Sequence, residues 1–176
     1  MELLSYFLNF LGLASFVAAS LVKGKRMRLI LFLSCFGNVT MASAYLVLGR
    51  GINGAISGYI GGAQAVINYL FESKGKPLPK WMIGVYAAAF VGLNLWLGWG
   101  SWHCALAIAA CLCFVMSLVQ PTGKEYRIWT MGNCSIWCSY DALSKAWGAL
   151  VTHAIIWIFT VTGIVIHDVK KKKQEQ

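Results

Sequence analysis

The sequence is short of charge, and this shortage restricts the class of protein. Only 12% of its 176 residues are charged, whereas 59% are hydrophobic. A soluble domain carries about 25% charged residues and about 45–50% apolar residues. A core of this length cannot bury so many apolar side chains away from water. The composition, with a mean hydropathy of +0.65, therefore predicts a membrane protein with several spans and no soluble domain.

Acidic residues are especially few, which leaves a formal net charge of +9. A basic chain can bind nucleic acid, but the basic residues here lie in short clusters between apolar runs. That distribution is typical of topology signals. No folded surface outside the membrane is expected to carry nucleic acid. We therefore expect the lipid bilayer, and not nucleic acid, as the partner of these charges.

The predicted spans also lack the residue sets of catalytic and metal sites. They contain no paired carboxylates and no nucleophile–base motif, and the last span has no Lys for a retinal. Five of the six Cys lie well within spans, unlike a secreted disulfide framework. Cys134 and Cys138 are one helical turn apart, but only His153 is expected at a comparable depth. We predict no enzyme activity, no metal and no cofactor.

Seven hydrophobic runs are long enough to cross a bilayer as helices. All but two of the fifteen Lys and Arg fall on one side of these runs, the exceptions being Arg50 and Lys145. Because cytoplasmic loops are enriched in Lys and Arg, the N-terminus is predicted outside and the C-terminus in the cytoplasm. The predicted spans are about 3–22, 29–48, 52–71, 81–97, 103–119, 128–143 and 148–166.

Two of the spans share a polar pattern that indicates an internal repeat. Gly37-Asn38 is followed by Tyr45, and Gly132-Asn133 is followed by Tyr140 at the same spacing. Further matches of Gly and Ala occur in the same order in the flanking spans. The fold class is therefore predicted as all-α and polytopic, with two parallel three-helix repeats joined by a linker helix. The first unit is placed at 1–72, the loop and linker helix at 73–100, and the second unit at 101–176.

At this level of detail the chain resembles a known family. The 3-1-3 layout resembles the PQ-loop superfamily, which includes SWEET sugar permeases and PnuC-type transporters. More closely, the chain resembles the YgjV family of bacterial inner-membrane proteins. The resemblance implies the fold and a location in the bacterial inner membrane, and it brings no function. It is carried by Gly37-Asn38 with Tyr45, Gly51 to Gly54, Gln64, the Lys-Pro-rich loop to Trp81, Trp137 with Tyr140-Asp141, and Gly148 to His153.

Small residues recur every four positions in the third and fourth spans. Such rows let neighbouring helices approach closely. The rows are Gly54, Gly58 and Gly62 in the third span, and Gly84, Ala88 and Gly92 in the fourth.

The paired amides are the first candidates for a solute site. An Asn at mid-membrane is costly unless another group satisfies it. Asn38 and Asn133 either line a central path between the two units or hydrogen-bond across helices. Tyr45 and Tyr140, two turns further along the same stripes, either gate that path or anchor at the interface. Trp137 offers an aromatic face for a flat or sugar-like ligand, or packs against lipid and helices.

Four further polar residues are weaker candidates. Gln64 and Asn68 form a second polar stripe one turn apart. His153 either takes a proton or binds substrate, or stays neutral and hydrogen-bonded. Asp141 is spaced for an ion pair with Lys145 one turn later, and otherwise contacts the ligand.

These features favour a transporter or facilitator for a small polar solute. The polar positions are mostly uncharged, which favours a neutral or weakly charged solute. The alternative is a non-catalytic membrane subunit or interaction protein. The rows of small residues on spans three and four, and a similar row on span five, could then be docking faces for a membrane partner or a second copy. The row on span five is Ala105, Ala109, Cys113 and Ser117.

Overall fold

The computed structural model describes residues 2–22, 26–49, 52–98 and 103–169, and this part of the chain is helical without any strand. Within it, seven α-helices follow one another with short connections, and a π-helical segment extends the last. They are α1 (Glu2–Leu21), α2 (Met27–Leu48), α3 (Ile52–Ser73), α4 (Lys80–Gly98), α5 (His103–Leu118), α6 (Gly123–Leu143) and α7 (Trp147–Ile164), followed by the π segment Val165–Val169.

Six of the seven helices agree with the predicted spans to within two residues, and the sixth does not. The segment 122–127 was predicted as a loop, but α6 already begins at Gly123. Thr122 is its N-cap, accepting a hydrogen bond from the Glu125 amide and donating one to the Glu125 carboxylate at 2.9 Å. The first contact satisfies one helix-start N–H donor that would otherwise be orphaned, and the second holds the two side chains together. Four predicted features lie at least partly outside the described residues: the basic cluster at 23–28, the turn at 49–51, the turn at 98–102 and the tail at 170–173.

Polarity in the bundle is distributed opposite to that of a soluble protein. Arg127, Gln64 and Asp141 are among its largest fully buried side chains. Large apolar side chains face outward, including Leu3 at 84% and Trp96 at 77% exposure. In water this arrangement would be costly, whereas hydrocarbon favours apolar surfaces and drives polar groups to pair inside.

Three helical stretches are long and apolar enough to cross a membrane, namely Glu2–Leu21, Met27–Leu48 and Trp147–Asp168. The helix at His103–Leu118 is apolar but shorter. α3 and α6 are diluted by polar groups that the bundle buries, such as Gln64 and Asn68 on α3 and Arg127 on α6.

Six of the helices form a closed ring of contacts. α1 packs on α2, α2 on α3, α3 on α5, α5 on α6, α6 on α7, and α7 returns to α1. α4 packs against both α3 and α5, and so fills the seam between them. It is fixed there by Asn94, whose Nδ2 donates to Ser57 Oγ at 3.2 Å, and by the buried ring of Phe90.

The two rows of small residues differ in what they contact. The prediction for the third span is confirmed: a Cβ added at Gly58 would lie 2.7 Å from Cβ of Ala42 on α2. In the fourth span the row packs against no described helix of this chain, since a Cβ at Gly84 or Gly92 would meet no atom within 4 Å, and close approach by a helix of another chain stays a prediction. That row faces outward because α4 uses its opposite, bulkier face to fill the seam.

Candidate functional site

A cavity of about 60 Å³ lies inside the bundle, and every one of the seven described helices contributes to its wall. Its lining combines amide, hydroxyl, thiol and aromatic groups. No Asp, Glu, Lys or Arg is among the described residues of that lining. The lining residues are Phe16, Asn38, Met41, Tyr45, Gly54, Ser57, Gly58, Phe90, Cys111, Phe114, Tyr126, Thr130, Asn133, Cys134, Trp137, His153 and Ile156.

The two amides singled out in the sequence line this same cavity. Asn38 Nδ2 donates to the Ser34 carbonyl oxygen, and Asn133 Nδ2 donates to that of Ala110, both at 2.7 Å. Each amide NH₂ is therefore partly satisfied by helix backbone. Neither Oδ1 accepts a hydrogen bond from another described residue. The two amide oxygens remain available as acceptors on the wall of one cavity.

His153, Asp141 and Tyr45 form a buried cluster beside the cavity. His153 Nδ1 lies 2.6 Å from Asp141 Oδ2, and the Tyr45 hydroxyl donates to Asp141 Oδ1 at 3.3 Å. Asp141 is fully buried, although it lies within the last turn of α6. The predicted ion pair of Asp141 with Lys145 is wrong. α6 ends at Leu143 and Lys145 has a φ of +56°, so helical one-turn spacing does not apply.

Trp137 presents its indole face to this cluster. Its ring is nearly parallel to that of His153, with an interplanar angle of 8° and centroids 5.7 Å apart. Its edge contact is with Tyr140, at 5.1 Å and 87°. Trp137 is therefore packed inside the bundle, and its indole face also forms part of the cavity wall.

A larger pocket of about 290 Å³, here called the end pocket, lies at the end of the bundle where α1 begins. Tyr45 is the only described residue that lines both this pocket and the central cavity. Its ring also packs on Gly54, where an added Cβ would lie 2.8 Å from it. Tyr45 therefore lies between the two spaces. Tyr140, the predicted gate partner, lines the end pocket but not the central cavity, and Lys145 lines the end pocket too.

Gln64 and Asn68 lie outside the central cavity. Both bond to carbonyls of α5: Gln64 Nε2 to Val115 at 3.4 Å and Asn68 Nδ2 to Leu118 at 2.9 Å. The Tyr86 hydroxyl donates to Asn68 Oδ1 at 3.0 Å, which joins α4 to the same contact. These bonds hold α3, α4 and α5 together, and a ligand role for either amide stays a prediction.

Sequence reasoning missed a second buried ion pair, at the opposite end of α6. Arg127 is 1% exposed and holds Asp168 through two parallel bonds of 2.8 and 3.1 Å. Its remaining Nη1 donates to the Ser20 and Val22 carbonyls, at 3.5 and 3.2 Å. Those carbonyls close α1 and have no partner within the helix.

One signal could have placed Arg127 inside. Along α6 it begins a row of buried polar and aromatic residues spaced three or four positions apart, which is one face of a helix. The other members of the row are Thr130, Cys134, Trp137 and Asp141. A charged residue in register with such a face belongs to the interior and not to a loop.

Metal binding finds no support in the described part of the chain, which contains no group of three or more His, Cys, Asp or Glu that could hold an ion. All six cysteines are free thiols.

A helical bundle with an apolar outside, buried ion pairs and a polar interior is a helical membrane protein. The family follows from comparison: residues 3–171 match the model of the Imp-YgjV family, described as a bacterial inner membrane protein, and the chain belongs to that family. The resemblance seen in the sequence is thereby confirmed for this family. Neither a curated protein nor a solved structure matches the chain.

Proposed function

We propose that this protein is a carrier for a small polar solute, which binds in the central cavity. The observation that supports this most directly is the pair of amides. Asn38 and Asn133 occupy corresponding positions in two similar stretches of sequence, line one cavity and keep their oxygens free. No described residue donates to either oxygen, so a ligand that supplies N–H or O–H donors would satisfy both amides.

The proposal includes two parallel three-helix units, α1–α3 and α5–α7, with α4 as linker, and seven spans with the N-terminus outside. The helix contacts support it. If α1 is exchanged with α5, and α3 with α7, the α3–α5 contact becomes the α7–α1 contact, and both of these contacts are present. A two-fold axis along the membrane normal has this property. Carriers built from such repeats bind their solute between the units near the midplane.

Contacts between the two proposed units lie at both ends of α6. At one end Tyr45 of α2 bonds to Asp141 of α6. At the other, Arg127 of α6 bonds to the end of α1 at Ser20 and Val22. A cavity of about 60 Å³ holds a few waters but not a solute of many atoms. The solute site must therefore widen when one set of contacts opens, as alternating access requires.

The lining restricts the chemistry of the solute. With amide groups, the ring of Trp137 and no Asp, Glu, Lys or Arg among its described residues, the cavity suits a neutral molecule. Such a molecule would carry N–H or O–H donors and one flat or apolar face.

Uptake into proteoliposomes tests the proposal. A panel of small neutral solutes is offered to vesicles containing the full-length protein, and saturable uptake of at least one is expected. Asn133→Ala should abolish that uptake. Ser135→Ala, two residues further on the same helix and exposed on the outside of the bundle, should retain it. An absence of saturable uptake across the panel would contradict the proposal, as would equal rates for the two variants.

The alternative, a non-catalytic membrane subunit, keeps one supporting observation. Gly84, Ala88 and Gly92 on α4 face outward, and such a row permits close approach by another helix. Purification from the native membrane should then yield a stoichiometric partner, and Gly84→Leu should lose it.

A further inference from the structure

We propose that Asp141 and His153 form a proton-binding site, and that proton uptake there releases Tyr45 and joins the central cavity to the end pocket. The inference rests on the proposed carrier function and names the ion that drives it. Among side chains, imidazole changes its charge most readily in the physiological pH range. His153 places such a group on a cavity wall whose described lining contains no permanently charged side chain.

The geometry of the pair shows where the proton would bind. At 2.6 Å, Nδ1 of His153 and Oδ2 of Asp141 are too close for two lone pairs to face each other, so a proton lies between them. With Nδ1–H donating to the carboxylate, Nε2 carries a lone pair. An arriving proton binds Nε2, the imidazole becomes imidazolium, and the net charge of the pair goes from −1 to zero. The indole face of Trp137, stacked on the ring, stabilises the cation.

The same carboxylate couples this step to Tyr45. Its second oxygen, Oδ1, accepts the bond from the Tyr45 hydroxyl. A hydrogen bond to an unpaired carboxylate is stronger than one to a carboxylate already neutralised by a cation. Proton uptake by His153 therefore weakens the contact that holds Tyr45 between the two spaces.

Other titratable groups surround the pair on every neighbouring element. Among these neighbours the thiols and phenols ionise at higher pH than imidazole, whereas His103 carries a second imidazole. The neighbours are Tyr45 on α2, Cys134, Cys138 and Tyr140 on α6, His103, Cys104 and Cys111 on α5, and Glu2 and Lys145 at the end pocket.

Proton binding is measured first, without any solute. The full-length protein with ¹⁵N-labelled histidine is titrated from about pH 5 to 9 in lipid nanodiscs, and its imidazole nitrogens are followed by NMR. One imidazole should change between neutral and cationic forms and disappear in His153→Asn. His167→Asn serves as the matched control, since His167 is at the opposite end of the bundle and bonds to the Leu21 carbonyl. If no pH-dependent signal is lost in His153→Asn, the proton site is refuted.

Release of Tyr45 is measured next, through a native thiol. Cys134 lines the central cavity and is 2% exposed, so a charged methanethiosulfonate reaches it only when the cavity opens. Its labelling is followed by mass spectrometry at one fixed pH. Asp141→Asn and Tyr45→Phe, which each weaken the Tyr45 contact, should raise the rate roughly 10- to 100-fold. Gly84→Ala, on the outer face of α4, should leave it unchanged.

In the unaltered protein, acid should raise the labelling rate of Cys134, although acid lowers the intrinsic reactivity of a thiol. His153→Asn should remove this rise. If Asp141→Asn and Tyr45→Phe both fold and Cys134 is labelled in each at the rate of the unaltered protein, the link to Tyr45 is overturned. Tyr45→Phe decides the question if Asp141→Asn does not fold. A titrating His153 without solute uptake in vesicles would refute the carrier and leave the proton site standing.

Discussion

At each end of α6 an Asp carboxylate is paired with a basic side chain, and the two basic side chains differ. At one end it is Arg127, which is always charged and makes four bonds to the Asp168 carboxylate and the last carbonyls of α1. At the other end the partner of Asp141 is His153, whose charge depends on pH. The comparison teaches that one helix can combine a permanently charged contact at one end with a contact at the other end whose charge depends on protonation.

The largest expected effect concerns the permanently charged end. Arg127→Ala leaves Asp168 and two helix-end carbonyls without their donor, and should destabilise the protein by about 3–5 kcal/mol. Denaturant-driven unfolding in micelles measures it. Lys124→Ala, one turn earlier and exposed, should stay within about 0.5 kcal/mol. Similar small losses in both variants would show that the Arg127 contacts do not stabilise the fold.

A glycine tests the end that is proposed to open. Gly54→Ala places a methyl group 2.8 Å from the Tyr45 ring, so the ring must shift or the fold must accept a strain of about 1–3 kcal/mol. Either response should speed the labelling of Cys134. Gly84→Ala makes the same substitution in open space and should stabilise its helix by up to about 1 kcal/mol. Unchanged labelling in Gly54→Ala would mean that Tyr45 does not separate the two spaces.

The smallest effect is expected away from both ends. Asn68→Ala removes two side-chain bonds, the one from α3 to α5 and the one that α4 makes to Asn68, whereas Tyr86→Phe removes only the second. Interhelical bonds in membranes average about 0.6 kcal/mol, so each variant should unfold only slightly earlier. Solute uptake should persist in both. Loss of uptake in Asn68→Ala with an intact fold would instead support a ligand role for this amide.

Much of the helical architecture follows from patterns local in the sequence. Each apolar run marks a helix, and the matched Gly-Asn pairs led to two amides that do line one cavity. The small-residue rows show the limit of such reasoning. Spacing alone marks a face that can pack closely, and both Gly54–Gly62 and Gly84–Gly92 satisfy it. Only the position of α4 in the seam decides that the second face stays open.

The ion pairs were unpredictable for a different reason. Arg127 and Asp168 are 41 positions apart, and charge counting treats every Arg beside a span as a topology signal. For Asp141, the one-turn rule selected Lys145, but the rule fails where the helix ends. Its real partners, Tyr45 and His153, come from two other helices, and no local pattern brings them together.

The placement of α4 makes the α3–α5 and α7–α1 boundaries unequal. A whole helix fills the first, while the second has no other described helix packed into it and includes the 3.0 Å contact between Ser20 and Thr160. A rocking motion would therefore pivot on the side of α4 and separate α7 from α1 on the other side. A cleft made in this way faces the acyl chains, so lipid composition should influence turnover.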